Sequence, residues 1–361
     1  MYENYKNRWY SREDVSGISV VRVKTYIAAN EGFVKRILDY MSFMASAFIA
    51  GIFQKKVDIL IATSPQFFTA VSGCMLSKCK RIPFVFELRD IWPASITAVG
   101  AMEKGVAISL LERLEMYLYR QAHSIICVTN SFRTELISRG IDSGKISVAL
   151  NGVNLDDYKD IAVPQERNPK LDNLSGKFTI GYIGTHGLAH GLLTIVDTAV
   201  KLRERDDIRF LFVGGGAAKK SVDDYVAKLG LKNVVSIDRV PKLFIPYYLQ
   251  QCDVSIVHLQ DNPLFASVIP SKIFESMALG IPLLMAIPRG EATDMVESQS
   301  AGLIANPEDA EHISQQLLRI KADAELYTRL SEGGVRAAAH YSRSRTAESM
   351  LKTLISLRSE R

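Results

Sequence analysis

Short β-branched and aromatic runs recur along the chain, each followed by a longer stretch with helical spacing. They fall at residues 18–23, 57–62, 84–88, 124–128 and 146–150, then at 178–183, 208–213, 234–237, 253–258 and 282–286. Strands alternating with helices predict an α/β fold, with parallel sheets covered by helices on both faces. A polar stretch holding Pro164, Asn168, Pro169, Asn173, Ser175 and Gly176 separates the fifth run from the sixth. It predicts a boundary between residues 160 and 176, and so an N-terminal domain over 1–165 and a C-terminal domain over 166–361. Residues 341–361 read as a terminal helix. Ligands of such open sheets sit beyond the carboxyl ends of the strands.

One helical stretch is apolar enough to raise a second question. Residues 37–53 (ILDYMSFMASAFIAGIF) carry Asp39 as their single charge, between Lys35-Arg36 and Lys55-Lys56. As a helix the run is roughly 25 Å long, short of the ~30 Å hydrocarbon core, so it does not span a bilayer. It reads either as a helix buried between a sheet and its neighbours or as one lying near a membrane surface, drawn there by the lysines. Residues 104–121 form a second, amphipathic candidate with Leu110, Leu111, Leu114, Met116, Tyr117 and Leu118.

Composition narrows the class. The chain has 361 residues, 47% apolar and 23% charged, which suits a globular protein of about two domains and excludes disorder and collagen. A net charge of +5 is too small for a protein whose work is neutralising a nucleic-acid backbone. The excess is uneven: residues 1–160 hold 20 Lys+Arg and 16 Asp+Glu, a balance of +4 that points to the more acidic partner. Cys74, Cys79, Cys127 and Cys252 form no C-x-x-C pair or zinc spacing and read as free thiols. No apolar leader follows Met1, and the expected location is cytoplasmic.

Four segments carry candidate chemistry. Gly181-Tyr182-Ile183-Gly184-Thr185-His186-Gly187-Leu188-Ala189-His190-Gly191 runs from a strand through glycines into a helix, where backbone N–H groups can approach a phosphate. A tight turn with no ligand explains it equally. His186 and His190 lack a third metal ligand nearby. Val213-Gly214-Gly215-Gly216-Ala217 is a flexible turn or a backbone that a nucleotide brushes. In the third, Ile269-Pro270-Ser271-Lys272-Ile273-Phe274-Glu275-Ser276-Met277-Ala278-Leu279-Gly280-Ile281-Pro282, Pro270 and Ser271 start a helix that Gly280 and Pro282 stop. Lys272 conflicts there with the partial positive charge of a helix start, and a bound anion would remove the conflict. Glu275, one turn on, can accept two hydrogen bonds from a vicinal diol such as a ribose. The fourth, Phe84-Val85-Phe86-Glu87-Leu88-Arg89-Asp90-Ile91-Trp92-Pro93, ends an inner strand in charge, where α/β sites are built or where a structural ion pair sits. The chain has no D-x-D for holding a metal–diphosphate complex, which favours a site without metal.

Taken together, PSKIFESMALGIP, GTHGLAHGL, FLFVGGG and FELRDIWPASITAVGAM resemble the GT-B glycosyltransferases of family 4, in the branch that adds sugars or amino sugars to lipid-linked O-antigen and capsule intermediates. The resemblance spans essentially the whole chain, with the motifs in family order. It implies two Rossmann-like domains facing across a cleft, with a UDP-sugar held mostly by the second. By resemblance, Glu275 grips the nucleotide ribose. Lys272 and the N–H groups around Ser271 face the donor diphosphate, as do Gly184, Thr185, Gly187 and, with them, His186 and Gly214. Arg89 and Asp90 stand where many relatives place a histidine facing the donor sugar, and Asp90 would orient the acceptor hydroxyl. Departures are equally specific. The first glutamate of the family's E-x7-E motif falls on Ser267. The usual Arg and Lys after the first C-terminal strand are absent, with His186 or His190 in their place. Relatives begin about one β-α-β unit earlier, so the N-terminal domain is expected to be incomplete.

The implied activity is retaining, metal-independent transfer of a hexose or N-acetyl amino sugar from a UDP-sugar to a polyprenyl-diphosphate-linked glycan at the cytoplasmic membrane face. The UDP-sugar is substrate; no cofactor and no nucleic acid are expected. Two other classes share the pattern: a UDP-sugar 2-epimerase, and a non-catalytic partner protein.

Overall fold

The computed structural model describes residues 6–27, 33–64, 66–98 and 105–359. Residues 1–5, Lys104 and the Gly100-Ala101-Met102 end of the fourth motif lie outside them, as does the side chain of Arg36. The chain divides into two units, Met1–Ala149 with Ser349–Arg361, and Leu150–Glu348.

In the first unit, β1 (Tyr10–Val15) and β2 (Ile18–Val23) pair as an antiparallel hairpin. Ser16 and Gly17 close it, both at positive φ (53° and 82°), the geometry a two-residue hairpin turn needs. The polar sequence YSREDV gives β1 no apolar run, and only its partner strand was legible. Next come α1 (Phe33–Ile52), β3 (Leu60–Thr63), α2 (Phe67–Lys80), β4 (Phe84–Leu88), α3 (Ala94–Ala98), α4 (Val106–Gln121), β5 (Ser124–Cys127), α5 (Asn130–Ser138) and β6 (Ile146–Val148). The four later strands form a parallel sheet in the order β3-β4-β5-β6. Phe84, Phe86 and Leu88 pack on one face with Phe67, Leu118, Tyr119 and Phe132. Val85, Ile126 and Ala149 pack on the other with Met350, Leu354 and Leu357 from the chain's last helix.

The apolar run at 37–53 is not a buried helix. α1 packs on α2, but Leu38, Met41, Ile49 and Ile52 stay 44–58% exposed, at helical spacing along its outer face, and Phe53 beyond it is 81% exposed. No described helix is long and apolar enough to cross a membrane.

The second unit holds β7 (Phe178–Ile183), α6 (Leu193–Lys201), β8 (Ile208–Val213), α7 (Lys219–Lys228), β9 (Val234–Ile237), α8 (Ile245–Leu249), β10 (Val254–His258), α9 (Lys272–Ala278), β11 (Leu283–Ala286), α10 (Glu291–Ser298), β12 (Gly302–Ala305), α11 (Ala310–Ala322) and α12 (Ala324–His340). α13 (Arg343–Ser359) begins here and supplies the helix end described above. All six strands are parallel, in the order β12-β11-β10-β7-β8-β9. Every residue of β10 and β11 is buried, as central strands covered on both faces require. Strand order reverses between β7 and β10, the switch point where doubly wound sheets bind ligands.

The unit boundary falls at Ala149–Leu150, upstream of the polar stretch at 160–176. That stretch belongs to the second unit because its turn Pro169–Leu174 buries Leu171 and Leu174 against Tyr248 and Leu249. β12, only Gly302–Ala305, is the other strand the sequence pattern missed.

The first unit also buries a charged group. Glu115 on α4 is 1% exposed and accepts from Arg139 at 2.5 Å and from the Tyr119 hydroxyl at 2.7 Å. Removing one partner of a buried pair leaves the other uncompensated. Glu115→Leu should lower unfolding stability in urea by about 3 kcal/mol, and adding Arg139→Met should recover most of the loss.

Candidate functional site

Beyond the carboxyl end of β7 the chain turns at Gly184, with φ +143°, and the loop after β8 meets it there. A Cβ on Gly214 (φ +150°) would stand 1.8 Å from the Gly184 carbonyl oxygen, and one on Gly216 (φ +151°) 2.5 Å from that of His186. Glycine is therefore required at both places, by close backbone approach as well as by φ. The loops are laced together: Gly184 N–H donates to Val213 O (2.9 Å), His186 N–H to Gly215 O (3.0 Å) and Ala218 N–H to His186 O (2.8 Å). The glycines after β8 thus form a rigid seat for the β7 loop, where the sequence suggested a flexible turn.

Lys272 reaches this seat from α9. Its amine stands 3.7 Å from the centroid of the Tyr182 ring and is sealed from solvent without a hydrogen-bond partner, although the residue as a whole is only half-buried. A Cβ on Gly184 would lie 3.3 Å from it. Burial pushes its pKa down to about 7, with the Glu275 charge opposing. Glu275 itself is pushed up by burial, against Lys242, Lys272 and Arg343.

His186 and His190 are neutral near pH 7. His186 is fully buried between Tyr182 and Phe212, with ring centroids 5.5 and 6.2 Å away; neither nitrogen closes a well-aligned hydrogen bond, the Gly214 backbone beside Nδ1 offering a poorly aligned contact that slightly favours the charged ring. Burial first, then Lys219 and Lys272, lowers its pKa to about 4. His190 is lowered to about 4 by burial and Lys272. His258, at the end of β10, accepts from Glu308 N–H at Nε2 (3.2 Å), so Nδ1 carries the proton and donates to His190 O (2.7 Å). It ties the loops after β7, β10 and β12 together. Among the described residues no three His, Cys, Asp or Glu side chains converge as metal ligands.

Two family models divide the chain. Residues 165–336 match Glycosyl transferases group 1, and residues 8–157 match Glycosyltransferase Family 4. The chain carries two glycosyltransferase domains. It is 25% identical over 286 residues to WcaI of Escherichia coli K12, assigned as a colanic acid biosynthesis glycosyl transferase, covering 77% of this chain and 69% of that one. The fold is similar to Anabaena HepE, solved with UDP and glucose (TM-score 0.69, 19% identity, 87% of this chain and 81% of that one). It is also similar to sucrose-phosphate synthase of Thermosynechococcus elongatus (TM-score 0.75, 15% identity, 99% and 87%). Both likenesses are of fold: two α/β domains with parallel sheets, the GT-B architecture.

In the group 1 domain, then, Gly184, His186, Gly214 and Lys272 form one cluster at the switch point. Thr185 is exposed, its carbonyl accepting from the Tyr182 hydroxyl at 2.8 Å, and Gly187 lies against the His190 ring. Ser271 is exposed and makes no side-chain cap on α9. Ser267, at the expected first glutamate position, bonds back to Leu264 O at 2.7 Å. Tyr182 and His258 were missed as site residues. Tyr182 sits in a strand buried on both faces, which marks it as core, and no local spacing ties it to Lys272.

Arg89 and Asp90 belong to the family 4 domain, just past β4. The Ser64 hydroxyl accepts from both of their backbone N–H groups, at 3.0 and 3.3 Å. Arg89 is exposed and no ion pair joins it to Asp90. Burial raises the Asp90 pKa, with a hydrogen bond from Ser95 opposing.

The unpaired amine at Lys272 sets a stability signature. Its folded pKa, about 7, lies below the unfolded value near 10.4, so between them the unfolded chain binds more protons and stability rises with pH. Lys272→Met should be more stable than the natural chain at pH 7 in thermal unfolding, with the difference closing towards pH 10.

Proposed function

We propose that the chain transfers a hexose or N-acetyl amino sugar from a UDP-sugar to a lipid-linked glycan in surface-polysaccharide biosynthesis, with retention at the anomeric carbon and without a metal. The observation that carries this reading is the sealed, unpartnered amine of Lys272 beside Gly184 at the switch point of the group 1 domain. A buried amine with neither counterion nor hydrogen-bond acceptor suits an anionic ligand. UDP and glucose in HepE and the polysaccharide assignment of WcaI support the same donor and pathway class.

In this reading the bond from the anomeric carbon to the diphosphate breaks as one to the acceptor oxygen forms, and the proton of the acceptor hydroxyl passes to the departing diphosphate oxygen. Charge gathers on the departing UDP, and a positive group aimed there stabilises the transition state more than the ground state. Lys272 is that group, with the N–H groups of Thr185, Gly187 and Ser271 as backbone donors to the phosphates, while those of Gly184, His186 and Gly214 donate within the protein and hold the loop that lines the site. Glu275 takes the ribose. Asp90 orients the acceptor hydroxyl, with Arg89 beside it. The exposed apolar stripe of α1, between exposed Lys35 and the exposed Lys55-Lys56 pair, suits the surface of an anionic membrane on the cytoplasmic side, where a lipid-linked acceptor is presented.

UDP release from UDP-hexoses and UDP-N-acetyl amino sugars, with and without a polyprenyl-diphosphate-linked sugar, tests the reading. Acceptor-dependent release is expected. Interconversion of free UDP-sugars without acceptor would instead establish an epimerase, and silence across the panel a non-catalytic protein. Asp90→Ala should lose about 100-fold in turnover while still binding donor; full turnover in that variant would remove Asp90 from the reaction. A second measurement concerns α1: Ile49→Glu with Ile52→Glu should abolish co-sedimentation with phosphatidylglycerol vesicles while leaving the fold intact by circular dichroism.

A further inference from the structure

Among the described residues six buried side-chain polar atoms close no hydrogen bond, and three of them share this one cluster: both ring nitrogens of His186 and the amine of Lys272. The two residues flank the same seat. The Tyr182 ring lies against both, and Gly184 and Gly214, in contact with each other, face Lys272 and His186 respectively. A protonated amine held there has an aromatic face for company but no acceptor for any of its three N–H bonds. A ring quadrupole offsets part of the lost hydration and does not replace it.

The groups around the amine confirm that no counterion is built in. β7 contributes Tyr182, and the loop after it His186 and His190, both neutral near pH 7. α9 contributes Glu275, whose charge favours the protonated amine without forming an ion pair, and which Lys242 and Arg343 also face. β10 contributes His258, already hydrogen-bonded at both nitrogens. From α7, Lys219 and Asp223 face His186 and are paired with each other at 2.8 Å. The free site thus favours an uncharged lysine, whereas a bound diphosphate favours a charged one. A lysine stem is flexible enough to bring the amine from the tyrosine ring to an anion at the glycine loop.

We infer that binding of a nucleoside diphosphate-sugar in the group 1 domain is coupled to the uptake of one proton from solvent, which Lys272 takes. The inference rests on the UDP-donor reading and adds to it: the site acquires its positive charge when the ligand arrives. Donor affinity accordingly falls as pH rises above neutrality.

Calorimetric titration of the full chain with UDP-glucose and with UDP-N-acetylglucosamine tests this, because a diphosphate diester carries no titrating proton between pH 6 and 9. Measured in buffers of different ionisation enthalpy, binding at pH 8 should take up close to one proton, and at pH 6 close to none. Affinity should be about 20-fold weaker at pH 8.5 than at pH 6.5. Lys272→Arg keeps its charge at every pH, and should bind with no proton uptake and a flat pH profile. His186→Gln should keep the uptake. Binding without uptake, or uptake that survives in Lys272→Arg, would overturn the inference and leave the donor reading standing. Uptake lost in His186→Gln but kept in Lys272→Arg would likewise overturn it by moving the proton to the histidine. If neither UDP-sugar binds but another diphosphate diester, ADP-glucose, does, with a pH dependence that Lys272→Arg abolishes, the UDP-donor reading falls and the proton linkage stands. If no diphosphate binds, both fall.

Discussion

The candidate site depends on how closely two loops of the group 1 domain approach each other. Parallel strands send every chain connection over a helix, so the ends of β7 and β8 come out side by side and their loops must share space. The Gly184 carbonyl occupies the position a side chain on Gly214 would need, and the His186 carbonyl that of a side chain on Gly216. Several consequences follow from that contact. The loops exchange backbone hydrogen bonds, His186 is sealed beneath them, and Gly184 is left with a bare face towards the Lys272 amine.

The same fold treats buried charge in two opposite ways. In the family 4 domain Glu115 is enclosed together with Arg139 and the Tyr119 hydroxyl, so each charged atom is answered within the core. At Lys272 no such answer exists, and the cluster retains three unpartnered buried atoms. A core can offset the first arrangement through its own geometry. The second costs stability with no internal return, which is how sites shaped for a ligand differ from sites shaped for folding.

The fold was legible because parallel strands buried on both faces leave continuous apolar runs; β4, β7, β8, β10 and β11 are all of this kind. The hairpin strand β1 was not, because neither of its faces is deeply buried and its residues carry no apolar period. The compact units part at Ala149–Leu150, upstream of the polar stretch, for a related reason, while the two family matches part between residues 157 and 165. Polar composition marks a surface segment, but Leu171 and Leu174 anchor that segment to one side, and two leucines do not register against the prolines and asparagines around them. The outer face of α1 shows the limit from the other direction, since apolar residues at helical spacing state that a face exists and not whether it is covered.

Much of the site was legible as separate motifs, and its logic was not. Lys272 attracted notice as a charge in the wrong place for a helix start, whereas the structure shows a stronger conflict, an amine without solvent or partner. The Gly214–Gly216 run read as flexible, whereas its glycines serve close packing and rigidity. Both differences have one cause: the meaning of these residues depends on Tyr182, His186 and Gly184, which lie far from Lys272 along the chain and are brought to it by the order of strands in the sheet. A lysine two positions after a proline and three before a glutamate is ordinary as sequence. The same lysine over a tyrosine ring, with neutral histidines around it and a glycine in front, is a group whose charge state the next molecule to arrive will decide.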